Sequence, residues 1–112
     1  MWLLDANMDV HLLVLLQQFG QKAEATTRRG WAALNNGDLV SIAAKEGFTS
    51  LLTQDRLFAE AAARALKAHP NFAVVVVHLP QRPWLQYQES FKTTWLKSPI
   101  SPIPGKVTHW PQ

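Results

Sequence analysis

A chain of 112 residues, 47% hydrophobic and 17% charged, has the size and composition of one domain with one core, and lacks the charge-rich, aliphatic-poor make-up of a disordered segment. Eleven Lys and Arg against eight Asp and Glu give a formal net charge of +3, which favours a polyanionic partner without requiring one. The lack of cysteine excludes disulfides, thiolate metal sites and a thiol nucleophile, and the longest apolar runs, 12–16 and 72–77, fall far short of the roughly 18 residues of a membrane span.

Residues 1–4 form a short apolar run closed by Asp5 and read as a buried strand, with no basic segment of the secretory kind before the first acid. A soluble, cytoplasmic protein that makes no membrane contact is the expectation. Asn7 or Asp9 is the expected cap of a helix with Leu12, Leu13, Leu16 and Phe19 on one face, ended by Gly20. Residues 22–26 alternate Ala23 and Ala25 with polar neighbours as a second strand, and a loop through Arg28, Arg29, Gly30 and Trp31 follows.

Asn36 is the expected cap of a second helix, with Leu39, Ile42, Ala43 and Glu46 about a turn apart and Gly47 at its end. Residues 48–53 read as a third strand. Asp55 then opens an alanine-rich helix running to about Lys67, with Phe58, Ala61, Ala62 and Ala65 on one face, stopped by His69 and Pro70. The four consecutive valines in 72–77 suit a central parallel strand covered on both faces. Pro83 is placed at the first position of a last helix, along which Trp84, Tyr87, Phe91 and Trp95 recur. Three prolines make 98–105 an extended connector, and 106–110 alternates as a final edge strand. Residues 1–97 are thus expected to form the body of an α/β domain, and 98–112 the connector and edge strand of that same domain.

Strands alternating with helices predict a parallel sheet with right-handed crossovers. Ligands of such sheets bind outside the carboxyl ends of the strands. Asp5 follows the first strand, Asp55 follows the third and Asp38 opens the second helix, so all three are expected at that edge. Hard divalent ions take oxygen ligands; Mg²⁺ commonly uses one or two carboxylates, waters and substrate phosphate. A bound ion of this kind activates water and offsets charge on a phosphate. Each aspartate also suits a helix cap, which favours Asp without any ligand, and both readings stand at this level.

The segments Leu3-Leu4-Asp5-Ala6-Asn7-Met8, Asn35-Asn36-Gly37-Asp38-Leu39 with Ala43-Ala44-Lys45-Glu46-Gly47, and Leu51-Leu52-Thr53-Gln54-Asp55-Arg56 resemble, in order and spacing, the small PIN-like proteins of the toxin–nuclease kind. The resemblance spans almost the whole chain. It implies a PIN-like three-layer α/β/α fold with a central, mainly parallel sheet of four to five strands. It implies a Mg²⁺- or Mn²⁺-dependent endoribonuclease that hydrolyses phosphodiesters of RNA, the toxin of a toxin–antitoxin pair, with a small cognate antitoxin protein as partner and a homodimer as a further assembly. On that pattern Asp5, Asp38 and Asp55 are catalytic metal ligands, and Asn7 and Thr53 shape the site. Ala6 and Leu57 stand where relatives often carry further acids, which leaves three carboxylates.

Arg28, Arg29 and Arg56 are candidates to grip RNA phosphates, with Arg56 otherwise pairing with a neighbouring carboxylate or covering the first turn of the third helix. Trp31 is the candidate to stack on a base, against wedging its own loop. The stripe of Trp84, Tyr87, Phe91 and Trp95 reads as core packing rather than a base platform. The four histidines show no metal-ligand spacing, and no glycine-rich phosphate loop exists. Two other functions compete. A non-catalytic PIN-like protein-binding module would keep the fold without the chemistry. A phospho-signalling receiver would use Asp55 and Lys106, but the fourth strand ends in Val77-His78-Leu79-Pro80 without the hydroxyl that chemistry needs.

Overall fold

The valine-rich run 73–77 and the short Leu3-Leu4 and Leu51-Leu52 segments, each bounded by turn residues, become strands of the sheet, whereas the equally apolar run 12–16 becomes a helix. The computed structural model describes residues 1–112, the side chain of Ala59 excepted. In chain order the elements are β1 Trp2–Leu4, α1 Leu12–Gln18, β2 Ala23–Ala25, a 3₁₀ turn Thr26–Arg29, α2 Asn36–Lys45, β3 Ser50–Thr53, α3 Phe58–Ala68, β4 Ala73–Val77, α4 Trp84–Lys97 and β5 Val107–Trp110. The five strands form one parallel sheet in the order β2-β1-β3-β4-β5. Leu4 pairs with Leu52 and Val76 with His109 across neighbouring strands.

Period-two alternation divides the core into two layers. Trp2, Leu4, Leu52, Val75, Val77 and Trp110 face Leu12, Leu15 and Leu16 of α1 and Tyr87 and Phe91 of α4. Leu3, Leu51 and Val74 face the other way, onto Leu39, Val40 and Ala43 of α2 and Phe58, Ala62 and Leu66 of α3. The result is a three-layer α/β/α domain. The aromatic stripe on α4 is part of the first layer: Phe91 lies 5.0 Å from Trp110 and Trp95 stacks on Phe19 at 4.8 Å. Among the described residues no helix is long and apolar enough to cross a membrane.

Helix ends account for most differences from the sequence reading. Asn35, not Asn36, caps α2: its side-chain oxygen accepts from the Asp38 N–H at 2.8 Å, the N-cap to N3 bond that such a residue makes. Neither Asn7 nor Asp9 caps α1, because Asp9 accepts from the His11 N–H in a tight turn. Pro83 lies just before α4, in extended conformation, and Trp84 opens the helix. Gly105 has a positive φ of 76°, and a Cβ there would sit 3.0 Å from the Pro70 carbonyl oxygen, so the turn into β5 requires glycine. That turn lets the proline-rich connector end as a fifth parallel strand on β4.

Candidate functional site

The chain leaves β1 toward β2 on one side of the sheet, and from β3 onward it winds toward the other side. The strand order therefore reverses between β1 and β3, and the connections diverge to leave a crevice at their carboxyl ends, the usual ligand position in doubly wound sheets. Asp5 directly follows β1 and Thr53 ends β3 at that point. The Asp5 N–H donates to the Leu52 carbonyl at 2.9 Å, which fixes the residue to the end of β3.

Thr53 links the two loops. Its hydroxyl donates to Asp5 Oδ2 at 2.7 Å and accepts from the Asp55 N–H at 3.1 Å and from Asn7 Nδ2 at 3.2 Å. One donor and two acceptor positions are the full capacity of a hydroxyl, so this buried group is saturated. Asn7 returns the contact by accepting from the Gln54 N–H at 3.1 Å. The other Asp5 oxygen accepts from the Ala6 N–H at 2.8 Å. Asp55 accepts from the Leu57 N–H at 2.9 Å and from Asn36 Nδ2 at 3.3 Å, which draws the first turn of α2 against the site. Each of the four carboxylate oxygens of Asp5 and Asp55 thus holds one protein donor and keeps lone pairs for another partner.

Asp38 takes a different position. Its carboxylate accepts from Asn35 Nδ2 at 2.9 Å, reciprocating the cap, and it lines the groove between α2 and α3 with Ser41, Ala61 and Arg64. Among the described residues no group of three or more carboxylates or imidazoles is placed to hold a metal ion together. Two of the three aspartates, Asp5 and Asp55, are joined through Thr53, Asp5 by its carboxylate and Asp55 by its backbone N–H. That number fits Mg²⁺ or Mn²⁺ bound mostly through water and substrate phosphate, since Mg²⁺ commonly takes only one or two protein carboxylates.

The basic candidates divide. Arg29 donates to Glu24 on β2 at 2.7 Å, and its guanidinium lies over the rings of Trp31 and Phe48, 5.4 Å and 5.1 Å from their centroids. The same bond holds the Glu24 carboxyl below its usual range. Trp31 meets Phe48 edge-on. Phe48 precedes β3 whereas Thr53 ends it, so Arg29 and Trp31 are drawn back along the sheet, away from the carboxylate pair. Arg28 lines the outer groove between α1 and β2 with Val10 and Val14. Arg56 remains at the edge, exposed and beside Asp55. Lys106 precedes β5 and so lies at the amino end of the sheet, opposite Asp55, where it cannot serve as a receiver's lysine.

The chain matches no family model, no curated protein and no solved structure.

Two residues with chemistry at this edge escape sequence reading. His78 follows β4 and His109 lies in β5; their ring nitrogens Nε2 and Nδ1 are 2.6 Å apart, a hydrogen bond between imidazoles. The His78 N–H is held by the Trp110 carbonyl at 2.7 Å, so the pair rests on the sheet's own ladder. Burial, then the charges of His109 and Arg56, push the His78 imidazole below its ordinary value. By alternation Asp5 follows Leu3, Thr53 follows Leu51, His78 follows Val74 and His109 follows Val107, all on the α2/α3 side of the sheet. No spacing in the sequence signals this pairing, because it depends on the β4–β5 register.

Proposed function

We propose that the protein is a Mg²⁺- or Mn²⁺-dependent endoribonuclease whose ion is held by Asp5 and Asp55, and that in the cytoplasm it serves as the toxin of a toxin–antitoxin pair. One observation carries the reading: the chain of bonds from the Asp5 carboxylate through the Thr53 hydroxyl to the Asp55 N–H, which ties the loop after β1 to the loop after β3. When bound, such an ion acts as a Lewis acid toward the scissile phosphate and lowers the pKa of a water. The protein's part is positional. The Ala6 and Leu57 N–H groups, Asn36 Nδ2 and the Thr53 hydroxyl fix the carboxylates and leave each oxygen capacity for a further partner. Asn7 ties the loop after β1 to the loop after β3, so the two ligands keep one separation. Arg56 holds substrate charge beside Asp55. A small antitoxin suits the same crevice by placing a basic side chain on the carboxylate pair.

The test is cleavage of a fluorescent single-stranded RNA by purified protein with Mn²⁺ and with EDTA, alongside Asp5→Asn and Asp55→Asn. Equal rates in wild type and both variants would place the nuclease elsewhere. The turning of Asp38 toward Asn35 favours a second reading, a non-catalytic binding module. That reading is left standing if no RNA is cut and Mn²⁺ leaves the melting temperature unmoved.

A further inference from the structure

The carboxyl edge of the sheet changes character along its length. Carboxylates occupy the ends of β1 and β3. Arg56, His78 and His109 occupy the stretch from β3 to β5. Parallel neighbours lie roughly 5 Å apart, so β4 and β5 stand roughly 5 and 10 Å along the edge from Thr53, the scale of a nucleotide step in an extended strand. We propose that His78, His109 and Arg56 form a phosphate subsite that holds the RNA strand one phosphate away from the Asp5–Asp55 pair; the identity of the ligand as RNA rests on the nuclease reading.

Proton placement makes the pair suitable. In the neutral pair one ring N–H lies between the rings, and of the two outward nitrogens, His78 Nδ1 and His109 Nε2, one is a donor and the other an acceptor. Adding one proton keeps the inner bond and turns both outward nitrogens into donors with a single positive charge. Two donors and the Arg56 guanidinium match the charge and the acceptor oxygens of a phosphodiester. A cation suits the place poorly: the charge of Arg56 acts on the same ring, and only two nitrogens converge. The charged and titratable groups acting on His78 are His109 across the pair and Arg56 from the turn after β3. Neither histidine is committed to the core, since His109 is exposed and His78 only half-buried.

A phosphate that favours the protonated pair must draw a proton in, so binding tightens as pH falls. The experiment is fluorescence anisotropy of a labelled single-stranded RNA hexamer at pH 6 and pH 8 in EDTA, which keeps cleavage out of the measurement. Wild type is compared with His78→Gln and His109→Gln, each verified by its melting curve, and the ring C2 protons are followed by NMR. Wild type is expected to bind several-fold more tightly at pH 6, one unit of pKa displacement setting a ceiling of about tenfold, and both variants to lose that difference. Arg56→Gln should weaken binding at both pH values. Affinity independent of pH, or unchanged in the histidine variants, overturns the subsite. So does a titration in which Zn²⁺ moves the two rings and the RNA leaves them unmoved, which would make the pair a metal site. The cleavage assay on Asp5→Asn fails or succeeds separately: loss of the nuclease reading with histidine-dependent binding intact would leave a phosphate site without the ribonuclease.

Discussion

Thr53 and His109 stand at the same edge of the same sheet in different surroundings. Thr53 is buried and its hydroxyl is saturated by Asp5, Asn7 and Asp55, so its geometry is fixed before any ligand arrives. His109 is exposed and shares one bond with His78, with its outward nitrogen open. The first arrangement suits chemistry, where a ligand set must not reorganise. The second suits recognition of a flexible polyanion, where a shared proton can follow the ligand. A threonine suits the place between the Asp5 carboxylate and the Asp55 N–H. A hydroxyl that donates to one acid and accepts the other's N–H joins two loops with no buried charge of its own.

The largest expected effects lie at the fixed end. Asp5→Asn and Asp55→Asn should each lower metal-dependent RNA cleavage by at least about a hundredfold, or about 2.7 kcal/mol of transition-state stabilisation. Asp38→Asn should leave the rate within about threefold, because Asp38 is turned to Asn35. Initial rates in Mn²⁺ decide it. A hundredfold loss in Asp38→Asn would return Asp38 to the ligand set. Thr53→Val should come next, by destabilising the fold by about 1 to 2 kcal/mol, because it leaves the part-buried Asp55 N–H without its acceptor and breaks the bonds to Asp5 and Asn7. Thr53→Ser keeps the hydroxyl and should recover most of that in urea unfolding. An equal loss in Ser and Val would mean that the methyl group, not the hydroxyl, matters.

The layered α/β fold was legible because its signals are local. Four valines in a row, leucine runs closed by Asp, and glycines after helical periods each report on their own neighbourhood. The position of Asp5 and Asp55 was legible for a related reason, since in a parallel sheet every strand's carboxyl end lies at one edge. What stayed hidden was non-local or a matter of one residue. Asn35 and Asn36 are equally good caps in composition, and only helix phase assigns the cap to Asn35, sending Asn36 to Asp55 and Asp38 back to the cap. Arg29 and Trp31 read as substrate groups because their loop follows a strand. Glu24 and Phe48, distant in sequence from Trp31, claim them instead. The His78–His109 pair needs the β4–β5 register, which no short pattern encodes.

A smaller effect tests the division of labour between Asn35 and Asn36. Asn35→Ala removes the N-cap of α2 and should cost about 1 kcal/mol of stability, while metal-dependent cleavage per folded molecule stays within about twofold. Asn36→Ala should do the reverse, with little change in stability and a clear loss of cleavage, since Asn36 donates to Asp55 rather than to its own helix. Unfolding curves and rates on the same two variants separate the cases. Matching losses in both would show that cap and site are one unit.

The smallest effect at neutral pH lies behind the crevice, on the α1/α4 side, and it grows with a distinctive pH signature. The Tyr87 hydroxyl is buried with no hydrogen-bond partner, beside a small cavity lined by Asn7, Asp9, Gln54, Gln81 and Arg82. Burial first, and the charge of Asp9 second, push its phenol up to about 12. Tyr87→Phe removes an unpaired polar group and should raise stability near pH 7 by less than about 1 kcal/mol. The sign at high pH follows from linkage. An unfolded phenol loses its proton near pH 10 while the folded one keeps it, so above about pH 10 the unfolded state binds fewer protons and wild-type stability falls with rising pH. The stability due to the depressed ionisation is complete below about pH 10 and is lost between there and the folded value near 12. The phenylalanine variant has no such group, so its advantage should widen by about 1.4 kcal/mol at pH 11, one unit above the unfolded value. Urea unfolding of both proteins at pH 7 and pH 11 measures the difference, and other titrating groups cancel in it. A variant less stable than wild type at pH 7 would mean that the hydroxyl has a partner in solution, and a constant difference between the two pH values would mean that the phenol titrates normally and the cavity admits water to it.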